Sequence, residues 1–169
     1  PNSITSINKN AFNSCISLTS ITINNGVTEI GEAAFNNCTS LKSITIPNSV
    51  TSINKGAFNK CTSLTSVTID NGVTEIGDYA FASCTSLKTI TLPDNIISLN
   101  PGLFQNCSNL TNVIIGSNVK YIYDYAFNNC DSLTTIYFKG SEEQWNNIEI
   151  SQEGNSALNN VTIVYNYEN

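Results

Sequence analysis

The sequence contains no histidine, no arginine and no methionine, and charged residues make up only 12% of it. Without histidine the commonest general base and a principal zinc ligand are missing. Without arginine the planar fork that grips phosphate is missing. Thirteen acidic residues against seven lysines give a net charge of −6, which repels nucleic acid and anionic membranes. No apolar run approaches the roughly 20 residues that a membrane helix needs. Nucleic-acid binding and membrane insertion are therefore not expected.

What is present is a repeat. Phe12, Phe35, Phe58, Phe81, Phe104 and Phe127 recur every 23 residues. Cys15, Cys38, Cys61, Cys84, Cys107 and Cys130 keep the same step, as do Leu18, Leu41, Leu64, Leu87, Leu110 and Leu133. A fixed period of this size marks a solenoid, in which each unit buries its apolar face only against its neighbours. Six units follow from residue 4: 4–26, 27–49, 50–72, 73–95, 96–118 and 119–141. Residues 1–3 read as the tail of a truncated upstream repeat, because 1–8 nearly duplicate 47–54, and the chain reads as a monomeric fragment of a longer array. Residues 142–169 break the period and read as a degenerate seventh coil and C-terminal cap. There Trp145 takes the column of Ile122, and Leu158, Val161 and Ile163 restore the spacing after a two-residue insertion.

Within a unit, Val27–Ile30 is a short extended piece and Gly31–Cys38 one or two helical turns. Ser43–Ile46 alternates as a strand does, and Pro47-Asn48-Ser49 turns the chain back. Each coil thus adds one strand to a parallel sheet. Identical side chains fall on identical columns, and that self-stacking is the whole core.

These residues resemble the BspA-type leucine-rich repeats. Leu41-Lys42-Ser43-Ile44-Thr45-Ile46-Pro47 through Ile53, followed by Ala57-Phe58 and Cys61, follows the pattern of that family. So do Ile76-Gly77, Ala80-Phe81 and Cys84. The departures are Ile97, Pro101, Gly102 and Leu103 in unit five, and Tyr121, Tyr123 and Tyr125 in unit six. The resemblance implies an α/β, right-handed, horseshoe-like leucine-rich-repeat solenoid with a parallel sheet on one face. It also implies a secreted or cell-surface protein that adheres to host or matrix proteins.

The six cysteines share one column, so free buried thiols acting as small hydrophobes are expected rather than disulfides or a metal site. The serine column (Ser17, Ser40, Ser63, Ser86, Ser132) lacks a base, and its hydroxyls are expected to bond backbone groups where the turn meets the strand. The pairs Glu29/Glu32 and Glu75/Asp78 occupy equivalent positions and read as solvated surface carboxylates. No catalytic residue, cofactor or metal is expected, and the chain is not expected to be an enzyme.

The functional expectation rests on the outward columns. One runs Thr22, Thr45, Thr68, Thr91, Ile114, Tyr137, turning apolar only at its end. Ile114 and Tyr137 are candidate ligand contacts unless the closing segment covers them. Tyr121, Tyr123 and Tyr125 form a second candidate patch. The expected role is a binding module for a protein or glycan ligand through the sheet face. The alternatives are a structural spacer, or an accessory domain of an enzyme whose catalytic part lies elsewhere.

Overall fold

The computed structural model describes residues 3–168. It is a parallel-strand solenoid of about seven turns with coils of about 23 residues and little helix. Two ladders run along the stack. The first consists of two-residue strands at Ser6–Ile7, Glu29–Ile30, Ser52–Ile53 and Glu75–Ile76, then Ser98–Leu99, Tyr121–Ile122 and Glu149–Ile150. The second holds Ser43–Ile46 against Ser66–Ile69, and Thr89–Thr91, Asn112–Ile115, Thr135–Phe138 and Thr162–Val164 in order. Equivalent residues pair directly, Ile30 with Ile53 and Ile44 with Val67. This register follows from burial, because a one-residue slip would turn every inward isoleucine outward.

The first ladder opens between Glu75–Ile76 and Ser98–Leu99. There the Asn100 side-chain amide donates to the Ile76 carbonyl at 2.8 Å. In other coils the equivalent carbonyl takes a backbone N–H, as Ile53 does from Gly77 and Leu99 from Tyr123.

The segment Gly31–Cys38 forms hydrogen-bonded turns rather than helical turns. A helix would use every N–H within itself, four residues back. Here Ala34, Asn36 and Cys38 donate three residues back, while Ala33, Phe35 and Asn37 donate to the next coil, to Lys55, Ala57 and Asn59. The alternation is possible because Ala33 and Asn37 take left-handed φ values of 53° and 60°. The strands donate backward along the stack, Thr28 N to Thr5 O, and the turns forward. Each coil is thereby bonded to both neighbours, and the backbone polar groups of a thin structure are satisfied.

The core is a set of files. Phe12, Phe35, Phe58 and Phe81 stack with ring centroids 5.1, 5.2 and 5.3 Å apart and planes within 5°. Phe81–Phe104 widens to 6.2 Å and 18°. That is where Leu103 replaces the alanine of the other coils, fully buried beside the file. The cysteine file is more than filler. Cys38, Cys61, Cys84, Cys107 and Cys130 each donate an S–H to the phenylalanine carbonyl of the preceding coil at 3.1–3.3 Å. The same carbonyl accepts the N–H of the cysteine in its own coil, Cys61 N to Phe58 O for example. The thiol thus satisfies the second lone pair of a buried carbonyl. All six cysteines are free, and Cys15 in the first coil is exposed.

A second alternation, every two coils, overlies the first. Asn8, Gly31, Asn54, Gly77 and Asn100 occupy one column. A Cβ on Gly31 would come within 2.7 Å of Ile7 O, and one on Gly77 within 2.6 Å of Lys55 N. Glycine therefore alternates with asparagine, whose side chain reaches back across the coil, as Asn54 does to Glu29 at 2.5 Å.

The register of the last segment differs from expectation. Ile150, not Trp145, pairs with Ile122, and Trp145 packs edge-on against Phe138 at 5.5 Å. Ile163 pairs with Ile136, an offset of 27, so the insertion is four residues rather than two. The extra length is taken up by the short helix Glu142–Asn146, which starts in a capping box between Ser141 and Gln144.

Candidate functional site

The outward positions of the first ladder flank its buried isoleucine. Because successive strand residues alternate sides, Tyr121 and Tyr123 emerge on either side of Ile122, itself 1% exposed. Their rings stack with centroids 5.8 Å apart and planes at 12°, and Tyr123 remains 42% exposed. Tyr125 follows two residues on, half-buried, its hydroxyl donating to the Glu153 carboxylate. That hydrogen bond and the negative charge around it hold the Tyr125 phenol above its ordinary value. Of the three tyrosines expected as one patch, Tyr121 and Tyr123 are stacked on each other, while Tyr125 engages the closing segment through Glu153.

Tyr79, which the sequence reading did not single out, belongs with them. It lies two coils before Tyr125 in the column Asn10, Ala33, Gly56, Tyr79, Gly102, Tyr125. All six residues have φ between 53° and 63°. A bulky residue there is a conformational outlier. The rings settle on the next coil's glycine. A Cβ on Gly102 would meet Tyr79 Cε1 at 2.2 Å, and one on Gly154 would meet Tyr125 Cδ1 at 2.2 Å. Tyrosine therefore alternates with glycine along the stack, and this alternation was visible in the sequence once Tyr79 and Tyr125 were placed in one column.

The other candidate pair is corrected. Ile114, expected on the surface, is 7% exposed. Tyr137 is half-buried, and the Tyr167 ring lies 4.6 Å from it, centroid to centroid. The terminal segment folds back here, with Asn166 N donating to Gly140 O and Tyr167 N to Phe138 O. Two exposed apolar side chains in a threonine column would cost hydration free energy, and covering them with a tyrosine removes that cost.

Acid–base chemistry finds no support in the remaining groups. Glu32 is paired with Lys9 at 3.0 Å, and Glu29 accepts from Asn54. Burial pushes the Cys61 and Cys130 thiols up to about 12 and the Cys84 and Cys107 thiols well above their ordinary value, so these sulfurs are protonated and inert. Among the described residues no group of three histidine, cysteine, aspartate or glutamate side chains could hold a metal ion. Nor, among the described residues, is any helix long and apolar enough to cross a membrane. The hydroxyls that bond backbone carbonyls between coils include those of Thr28, Thr51, Thr74, Thr65, Thr85, Thr111, Thr134 and Ser49, and not those of the serine column.

A family model described as "BspA type Leucine rich repeat region" matches in six copies over residues 1–73 and 51–169. A search of curated proteins finds no match. Among solved structures, the leucine-rich repeat protein of T. pallidum is 30% identical with a TM-score of 0.76, covering 80% of this chain. The chain spans 66% of that protein's length. A leucine-rich cell surface protein of Faecalibacterium prausnitzii is 28% identical with a TM-score of 0.53, covering 88% of this chain and 55% of its own. The pneumococcal vaccine antigen PcpA, 16% identical with a TM-score of 0.57 over 89% of this chain and 42% of its own, shares the fold.

Proposed function

This chain belongs to the BspA-type leucine-rich-repeat family, and from that premise we propose that it is a non-catalytic binding module of a secreted or cell-surface protein. Residues 1–141 form the repeat array of the module, and 142–169 close it. The observation that carries this reading is the stacked pair Tyr121 and Tyr123, the second 42% exposed, at positions where the other coils carry serine, glutamate, asparagine or glycine. Tyrosine supplies rigid contact area at low entropic cost and is over-represented where proteins bind. The partner is a protein or a glycan, and no nucleic acid is recognised by a chain of this charge. A module of this kind acts in adhesion without a cofactor.

The test is binding of the purified chain to a panel of immobilised extracellular-matrix proteins and to an array of neutral and acidic glycans. Binding to at least one class, lost in Tyr121→Ser/Tyr123→Ser with the melting temperature retained, is the expected outcome. A chain that binds nothing in either panel is instead a spacer, a reading favoured by the uniform hydroxyl surface of Ser43, Thr45, Ser66, Thr68, Thr89 and Thr91, all exposed or on the outward side of their strands.

A further inference from the structure

We infer that the tyrosine-bearing side of the solenoid takes a neutral, extended β-1,4-linked glycan, with Tyr79 and Tyr125 as two stacking platforms two coils apart and Tyr121 and Tyr123 flanking the second. This rests on the binding-module reading and narrows it to one partner class.

Three observations carry it. The first is the way the rings are seated. Tyr79 lies against Gly102 and Tyr125 against Gly154, so closely that any Cβ at either glycine would collide with the ring. A ring laid on backbone in this way is held in place, and both tyrosines are partly exposed, the flexible Lys55 side chain bringing its ammonium to 6.0 Å from the Tyr79 ring centre. Packing does not demand the rings, because Ala33 and Gly56 occupy the same column with the same left-handed backbone. Tyrosine at φ 56° and 60° is held at a conformational cost that glycine avoids.

The second observation is the spacing. Adjacent parallel strands lie about 4.8 Å apart, so residues two coils apart are separated by about 10 Å along the stack. An extended β-1,4 glycan is a near two-fold ribbon, and alternate sugars present the same face at about that distance. Tyr79 and Tyr125 thus meet the first and third sugar of a bound stretch. An α-1,4 glycan coils and does not present equivalent faces along a line.

The third is polarity and charge. Asp78 and Asp124 immediately precede the two tyrosines and are half-buried, and Asp124 already accepts a hydrogen bond from the Ser151 hydroxyl. Carboxylates of this kind accept from sugar hydroxyls. Lys55 stands over Tyr79, but with Asp78 and Asp124 before the two rings, Glu153 beside Tyr125 and a net charge of −6, the balance disfavours uronic-acid or sulfated glycans. A flat, open, aromatic face of this kind suits a polymer lying along it better than a small molecule, which needs a concave pocket.

The experiment is titration of the chain with cellohexaose and chitohexaose, followed by amide chemical shifts, with maltohexaose and an oligoalginate as controls. At least one β-1,4 hexasaccharide is expected to bind, with shifts centred on residues 77–81, 100–104 and 121–126. The disaccharide, too short to reach both platforms, should bind at least tenfold more weakly. Tyr79→Asn and Tyr125→Asn, chosen because asparagine accepts left-handed φ, should each weaken binding by about tenfold while the melting temperature is retained. Equal binding of maltohexaose, no loss in either variant, or no binding of either β-1,4 hexasaccharide overturns the inference. Capture of a matrix protein by a chain that ignores all these glycans overturns the glycan assignment alone and leaves the binding-module reading standing. A chain that binds neither fails both.

Discussion

If the core is a file of stacked side chains, the cost of removing one depends on where in the file it stands. Phe81 is fully buried between Phe58 at 5.3 Å and Phe104 at 6.2 Å. Phe12 is half-buried and touches one ring, Phe35, at 5.1 Å. Phe81→Ala should therefore cost about 3–5 kcal/mol, the range for truncating a buried phenylalanine. Phe12→Ala loses one stacking partner instead of two and less buried area, so about half that cost is expected. The assay is urea unfolding of both variants, read by far-ultraviolet circular dichroism and by fluorescence of Trp145 near the opposite end. The two probes also report whether the stack opens in parts, as nearest-neighbour arrays can. Equal costs for Phe81→Ala and Phe12→Ala would refute the columnar account, since a globule with one central core would not distinguish position along the chain.

Alkaline pH should unfold the protein. The buried Cys61, Cys84, Cys107 and Cys130 thiols stay protonated well above the ordinary value near 9 at which they ionise in the unfolded chain. Their stabilising effect is complete below pH 9 and is lost as pH rises above it, because the unfolded chain then releases protons that the buried thiols keep. The slope of stability against pH should fall measurably in Cys61→Ala/Cys84→Ala. Cys84→Ala itself leaves the Phe58 carbonyl with one partner fewer and a small void, so a loss of about 1–3 kcal/mol is expected by chemical denaturation. Gly102→Ala drives a Cβ into the Tyr79 ring and adds left-handed strain, for a loss of about 2 kcal/mol. The Tyr79→Asn background should recover the part due to collision, and a double-mutant cycle measures it. Deleting residues 165–169 should expose Ile114 and Tyr137, which increased binding of an apolar fluorescent dye would report.

The fold was legible because 23-residue identity fixes which side chains meet. Once Phe35 must lie over Phe12 and under Phe58, strand register and inward columns follow. The turns were not legible as turns. Ala34, Phe35 and Cys38 share a face in a helix and also in a ladder of turns, and what separates the two is the left-handed backbone at Ala33 and Asn37, which alanine gives no sign of. The donor role of cysteine was hidden for a similar reason. A small apolar column and a column of weak donors look alike until the phenylalanine carbonyl is seen 3.1–3.3 Å away. The last segment was misread because Leu158, Val161 and Ile163 imitate the repeat spacing, while the pairing is set by Ile150 and Ile163. At the candidate site, the tyrosines of one coil were found by their departure from the pattern. Tyr79 was passed over because it sits in an otherwise regular coil, and Tyr137 was misplaced because its cover, Tyr167, comes from outside the repeat.

The columnar core also constrains what the surface can do. Outward positions can change without disturbing the files, so binding residues accumulate there at no cost to packing. Their spacing, however, is inherited from the core. Tyr79 and Tyr125 are separated by the coil that carries Gly102, and backbone hydrogen bonds hold that coil to both neighbours, Tyr79 N to Pro101 O at 2.9 Å and Gly102 N to Asp124 O at 3.0 Å. The distance between the platforms is thus set by the backbone ladder, not by either ring. A rigid polymer with a fixed repeat can match two platforms held at such a distance. A protein partner contacting Tyr121 and Tyr123 meets a single coil instead, and its affinity does not depend on that spacing.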